Sequence, residues 1–259
     1  MIPKPYIARL KEHAPWTTNE QMEQNLIISR ALIELFSDDF LKENLVFRGG
    51  TALHKLYLKP APRYSEDIDL VQIKEGSIKP ILKRIGEVIA FFEEDRVIKQ
   101  KANINTIPYR FASEYNPEIR LRLNIEINCR EHFNLLGWKK FPFEVKNDWY
   151  SGACENTTYH LDERLGTKLR ALYQHKRGRN LFDLYYTNLN EDLDYGNILK
   201  CYHEYMRFAV GKSRSQKEFV QNMEEKSSHR YSWEIWKGCY ERTWHTIRKW
   251  HLSGWKITF

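Results

Sequence analysis

Ser65-Glu66-Asp67-Ile68-Asp69-Leu70 is the stretch on which the reading of this chain turns. Side chains alternate across a strand, so Asp67 and Asp69 share one face while Ile68 and Leu70 point to the other. The two aspartate Cα atoms then lie roughly 6–7 Å apart. Two carboxylates that close repel each other, and a hard divalent cation turns that cost into a binding site. A bare Asp-x-Asp is also ordinary on a solvated strand face, so its company decides. The run Leu121, Leu123, Ile125, Ile127 has the cleanest alternation in the chain and places Glu126 on the opposite, polar face. If the two strands are neighbours, Glu126 completes a set of three carboxylates. It could then ligate the metal and help deprotonate an attacking hydroxyl.

Upstream, the apolar run Leu45-Val46-Phe47 ends in Arg48-Gly49-Gly50-Thr51, and a helical segment follows from Ala52 to Tyr57 until Pro60 and Pro62 stop it. Glycines between a strand and a helix let the backbone approach a ligand closely, and free N–H groups at a helix start attract phosphate. Arg63 and Ser65 can add donors. Downstream, Leu165, Leu169 and Leu172 mark an apolar helix face that also holds Lys168. A lysine there either snorkels to solvent or turns toward an anion such as a triphosphate, with Asp183 available to pair with it or orient it.

The remaining elements read as follows. Thr18 and Gln21 form a capping box for a helix to about Phe36. Asp67–Ile73 is a strand, Ser77 caps a helix to about Phe92, and residues 104–128 make two strands. From about Leu161 the periodicity is helical. The predicted organisation is α/β (α+β): residues 1–150 with a mixed sheet flanked by helices, then a helical C-terminal lobe, residues 151–259, joined around 146–160.

The formal net charge of +7 is concentrated late: residues 200–259 carry twelve Lys and Arg against six Asp and Glu. That surplus suits a phosphate-rich partner and equally suits solvated helix faces. Five of eight tryptophans lie between Trp233 and Trp255, interleaved with basic residues. The spacing of Trp233, Trp236 and Trp244 fits a buried helix face, whereas stacking on single-stranded nucleic acid is the other use of such a set. Four scattered cysteines suggest neither a disulfide framework nor a zinc knuckle. No apolar run is long enough to span a bilayer and the N-terminus lacks a secretory signal pattern, so a cytoplasmic protein is expected.

Strand, Gly-Gly, helix, Asp-x-Asp and a later acidic strand together resemble the DNA-polymerase-beta-like nucleotidyltransferases. More narrowly, FRGGTALHKLY (47–57), RYSEDIDL (63–70), IEINCREHF (125–133), KLRAL (168–172) and RNLFDLYY (179–186) resemble the AbiEii/AbiGii-type toxin nucleotidyltransferases. The resemblance implies a nucleotidyltransferase fold, nucleotide phosphates held at the Gly-Gly turn and Ser65, and magnesium, in a two-ion site, on Asp67 and Asp69. It also implies that Lys168 and Asp183 line the site, although Asn180 stands where family members often carry an aspartate. Expected partners are a nucleoside triphosphate, an RNA acceptor such as tRNA, and a cognate antitoxin. The nucleotide-binding set expected is Arg48, Gly49, Gly50, Thr51, Arg63, Ser65 and Lys168. The alternatives are a transferase acting on a small hydroxylated molecule, as antibiotic nucleotidyltransferases do, and a non-enzymatic RNA- or nucleotide-binding protein on the same scaffold.

Overall fold

A computed structural model describes residues 2–11, 18–92, 98–101, 103–175 and 178–227. The chain divides into two compact units, residues 1–159 and 160–259.

The first unit is built on a seven-stranded mixed sheet of order β3-β4-β5-β2-β1-β7-β6. Its strands are β1 (Leu45–Arg48), β2 (Asp67–Gln72), β3 (Lys99–Lys101), β4 (Ile104–Ala112), β5 (Arg120–Asn128), β6 (Trp138–Lys146) and β7 (Ser151–Tyr159). β2 runs parallel to β5 and antiparallel to β1, so the Asp-x-Asp strand sits mid-sheet. One sheet face is apolar: Ile68, Leu70, Ile107, Tyr109, Leu123, Ile125 and Ile127 are buried against Leu26, Ile28, Leu32, Leu35 and Phe36 of α2 (Asn19–Ser37) and Ile81 and Ile85 of α5 (Lys79–Val88). The α2 start is fixed by the expected capping box, with Thr18 Oγ1 accepting from the Gln21 amide and Gln21 Oε1 accepting from the Thr18 amide. Gln24 on α2 donates to the backbone carbonyls of Arg122 at 2.7 Å and Glu66 at 3.4 Å, tying the helix to the two strands that carry the acids. The buried carboxylate of Glu23 is satisfied by Ser113 Oγ and the Glu114 amide, both at 2.7 Å.

Between α2 and β1 lies α3 (Asp39–Asn44), and ahead of α2 lies α1 (Lys4–Lys11). β1 leads into α4 (Gly49–Ala52), which widens into a π-helical turn over Leu53–Tyr57. The second unit is helical over its described residues: α6 (Leu161–Gln174), α7 (Gly178–Asn190), α8 (Tyr195–Val210) and α9 (Gln216–Ser227). Among the described residues no helix is long and apolar enough to cross a membrane.

Several expectations change. Ser77 does not cap the helix after β2: Ile78 occupies the cap, and the helix ends at Val88 rather than near Phe92. The expected junction at 146–160 is largely strand, because β6 and β7 form a hairpin and the division at residue 150 falls at the foot of β7. β6 carries Pro142 and three lysines, Lys139, Lys140 and Lys146, features that obscure a strand in the sequence yet suit the edge position it holds. The Trp233–Trp255 segment lies outside the described residues.

Candidate active site

The parallel register of β2 on β5 sets Asp67 beside Asn124 and Asp69 beside Glu126, while β1 sets Arg48 beside Asp69. All five are on the sheet face opposite the apolar core. The three acids expected from the sequence therefore do come to one face. Asp67 Oδ1 accepts from Asn124 Nδ2 at 2.9 Å, and no other hydrogen bond to that carboxylate forms among the described residues. Tyr64 lies nearby; burial first, then the charges of Glu66 and Asp67, push its phenol above the ordinary range and keep it protonated.

The Gly-Gly turn is locked against the same strand. Gly49 has φ +79, and a Cβ at that position would lie 1.8 Å from Asp69 Oδ2, so only glycine fits there. A Cβ on Gly50 would lie 2.8 Å from Arg63 Nη2. Thr51 Oγ1 donates to the Asp67 carbonyl, which leaves Ser65 to donate to Thr51 Oγ1 at 2.7 Å. The start of α4 is thereby fastened to the start of the acidic strand. Arg48, just before the turn, forms an ion pair with the buried carboxylate of Glu131. Burial works to lower its pKa, but the charges of Glu131, Tyr159 and Asp69 outweigh it and hold the guanidinium well above its usual range. Arg63 Nη1 donates to the Tyr64 carbonyl at 2.9 Å.

A cavity of about 280 Å³ adjoins the turn, lined among others by Thr51, Lys55, Arg63, Ser65 and Phe143. Lys55 is the residue the sequence reading missed. Its Nζ donates to two neutral oxygens, Asn25 Oδ1 at 2.7 Å and Ser29 Oγ at 2.8 Å. Among the described residues no carboxylate pairs with it, and burial pushes its pKa down to about 7. Its position one helical turn after Thr51 is the signal that could have found it. Asn124 was missed as well and could have been found from its place two residues before Glu126 on one strand face; Glu131, in the loop after β5, carried no such signal.

Among the described residues, no three His, Cys, Asp or Glu side chains close into a preformed metal cluster. The donor set still fits a hard cation. Magnesium is usually held by one or two carboxylates, with water and substrate phosphates completing its octahedron, and among the described residues only one oxygen of the Asp67 carboxylate accepts a hydrogen bond.

Lys168 and Asp183 belong to the second unit. Lys168 does not snorkel: it is buried, and its Nζ lies 2.7 Å from Oδ2 of the fully buried Asp183, joining α6 to α7. Removing one partner of such a pair costs about 3–5 kcal/mol, so each carries structural weight whatever else it does.

Residues 30–249 match the family model described as nucleotidyl transferase AbiEii toxin, type IV toxin–antitoxin system. Among solved structures, the chain resembles MenT4, a nucleotidyltransferase toxin from Mycobacterium tuberculosis, with 15% identity over 96% of this chain and 98% of that one, and a TM-score of 0.56. It also resembles JHP933 from Helicobacter pylori, with 16% identity over 91% of this chain and all of that one, at a TM-score of 0.49. At such identities the likeness is one of fold. A search of curated proteins finds no match.

Two outcomes are expected from this geometry. Gly49→Ala meets both a positive φ and the Asp69 carboxylate, whereas Gly211→Ala meets only the φ of +76 in open space. In urea unfolding Gly49→Ala should lose more stability than Gly211→Ala, for which about 1 kcal/mol is expected; equal losses would contradict the close approach of Asp69. For Lys55, the folded pKa lies below that of the unfolded chain, so the unfolded chain holds the extra proton between the two values. The penalty is fully present below pH of about 7, and stability climbs as pH rises from there toward the ordinary lysine range. Thermal melts across that window should show the climb in the wild type and a flatter profile in Lys55→Met; parallel profiles would refute it.

Proposed function

The chain belongs to the AbiEii nucleotidyltransferase toxin family, and from that premise we propose that it moves a nucleotidyl group from a nucleoside triphosphate to a hydroxyl of RNA, tRNA being the foremost acceptor, with magnesium as cofactor and a cognate antitoxin as its partner. The observation that carries this is the in-register pairing of Asp69 with Glu126, beside Asp67 and against the Gly49 turn.

In this mechanism the backbone amides at the start of α4 and the Ser65 hydroxyl receive the phosphates, as a glycine turn opening a helix is suited to do. Asp67, Asp69 and Glu126 would hold the divalent ion, which supplies charge neutralisation on the phosphates when bound. The acceptor oxygen attacks the α-phosphorus, the bond to the β-phosphate oxygen breaks, and pyrophosphate leaves. Glu126 or Asp69 takes the acceptor's proton, its carboxylate already lying on the reacting face. Asn124 holds the Asp67 carboxylate through the 2.9 Å hydrogen bond, so that the ligand does not have to be ordered during the reaction. Arg48 remains committed to Glu131, with the Asp69 carboxylate as a further opposite charge beside its guanidinium.

Incubation of the pure protein with magnesium, total RNA and each labelled nucleoside triphosphate in turn tests this directly. Label should enter the tRNA fraction, and Asp67→Asn should lower the rate by at least about a hundredfold with its fold intact. Label confined to a small hydroxylated molecule would shift the acceptor class, and no incorporation from any nucleotide would leave the chain a binding protein.

A further inference from the structure

The sheet face that carries the acids continues across β5, β4 and β3. There the register sets Arg122 directly opposite Arg110, and Lys99 and Lys101 opposite Thr106 and Ile104. Those positions alternate with the buried Ile107, Tyr109, Leu123 and Ile125, so the four cations share the face of Glu126, Asp67 and Asp69. All four are exposed. Among the described residues, no carboxylate, ring or hydrogen-bond acceptor engages any of their side chains. Like charges set directly opposite each other across a strand pair are disfavoured, and among the described residues no carboxylate pairs with Arg110 or Arg122 to offset it. An external polyanion would.

Distances are compatible with a nucleic-acid strand. Four residues of β5 separate Arg122 from Glu126, about 13 Å at the usual strand rise. Lys99 lies in the same cross-strand row as Thr106, Glu126 and Asp69, three strand spacings from the last, or roughly 14 Å. A strand whose terminal hydroxyl sits at the carboxylates would carry phosphates over these cations a few nucleotides away.

We infer that Lys99, Lys101, Arg110 and Arg122 form a phosphate-binding rim that holds the backbone of the acceptor RNA beside the carboxylates. This rests on the proposed RNA acceptor and adds to it where the acceptor lies. Exposed cations that contact phosphates contribute affinity and placement rather than sequence preference.

The test uses the full-length protein with fluorescein-labelled tRNA, by anisotropy across a range of salt, on Arg110→Glu/Arg122→Glu and Lys99→Glu/Lys101→Glu. Each pair should weaken binding and reduce the log–log salt slope by about 1.5–2, the share of two phosphate contacts, while nucleoside triphosphate affinity holds at the wild-type value. In label transfer, KM for tRNA should rise with little change in kcat. If a Glu pair unfolds the sheet, the Gln versions of the same positions should show the same change in a smaller step. Wild-type binding and slope in both pairs would overturn the rim, even where the wild-type enzyme labels RNA. A wild-type protein that labels no RNA would instead sink the acceptor reading, with the anisotropy comparison still deciding whether the rim binds phosphate.

Discussion

Everything in the first unit depends on one strand pairing, β2 on β5 in parallel register. On the polar side that pairing sets Asp69 against Glu126, a like-charge contact that opposes it by about 0.2–1 kcal/mol. On the other side it buries Ile68, Leu70, Leu123, Ile125 and Ile127, each contributing about 1.5–3 kcal/mol. The apolar face wins by a wide margin, and a slip of one residue would turn every one of those side chains to the wrong side. The carboxylates are held together by the hydrophobic residues between them.

That division of labour explains which parts were legible in the sequence. Asp67, Asp69 and Glu126 could be assigned to one face because they interleave with Ile68, Leu70, Ile125 and Ile127, a period of two that few other structures produce. Thr18 and Gln21 announced α2 through side-chain chemistry local to one turn. The β6–β7 hairpin was hidden because it is an edge feature: Trp138–Lys146 carries a proline and lysines, and Ser151–Tyr159 lacks an apolar repeat. Lys55, Asn25 and Ser29 meet only when α2 packs beside the turn after β1, a contact between residues 26 and 30 positions apart that no local pattern encodes. Lys168 stood out because a lysine on an apolar helix face calls for an anion, with Asp183 as a candidate; full burial of the aspartate could not be foreseen from that.

The Gly-Gly turn and the acids form one mechanical object. Gly49 admits the Asp69 carboxylate where any Cβ would collide with it, and Thr51 grips the Asp67 carbonyl while accepting from Ser65. A ligand that draws on the amides of α4 therefore acts directly on the strand bearing the carboxylates. Lys55 adds a group near neutrality at the wall of the adjoining cavity. Its protonation state is set by desolvation rather than by a counter-ion, so an anion entering that cavity would raise its pKa and be bound more tightly as pH falls.

The most direct trial of the central claim is crystallographic: crystals of the protein soaked with manganese, a magnesium surrogate with an anomalous signal, and a non-hydrolysable nucleoside triphosphate. An anomalous peak at about 2.2 Å from carboxylate oxygens of Asp67 and Asp69, with the phosphates over Gly49 and Gly50, is the predicted result. A nucleotide bound elsewhere, or manganese bound away from both aspartates while the nucleotide is in place, would contradict it.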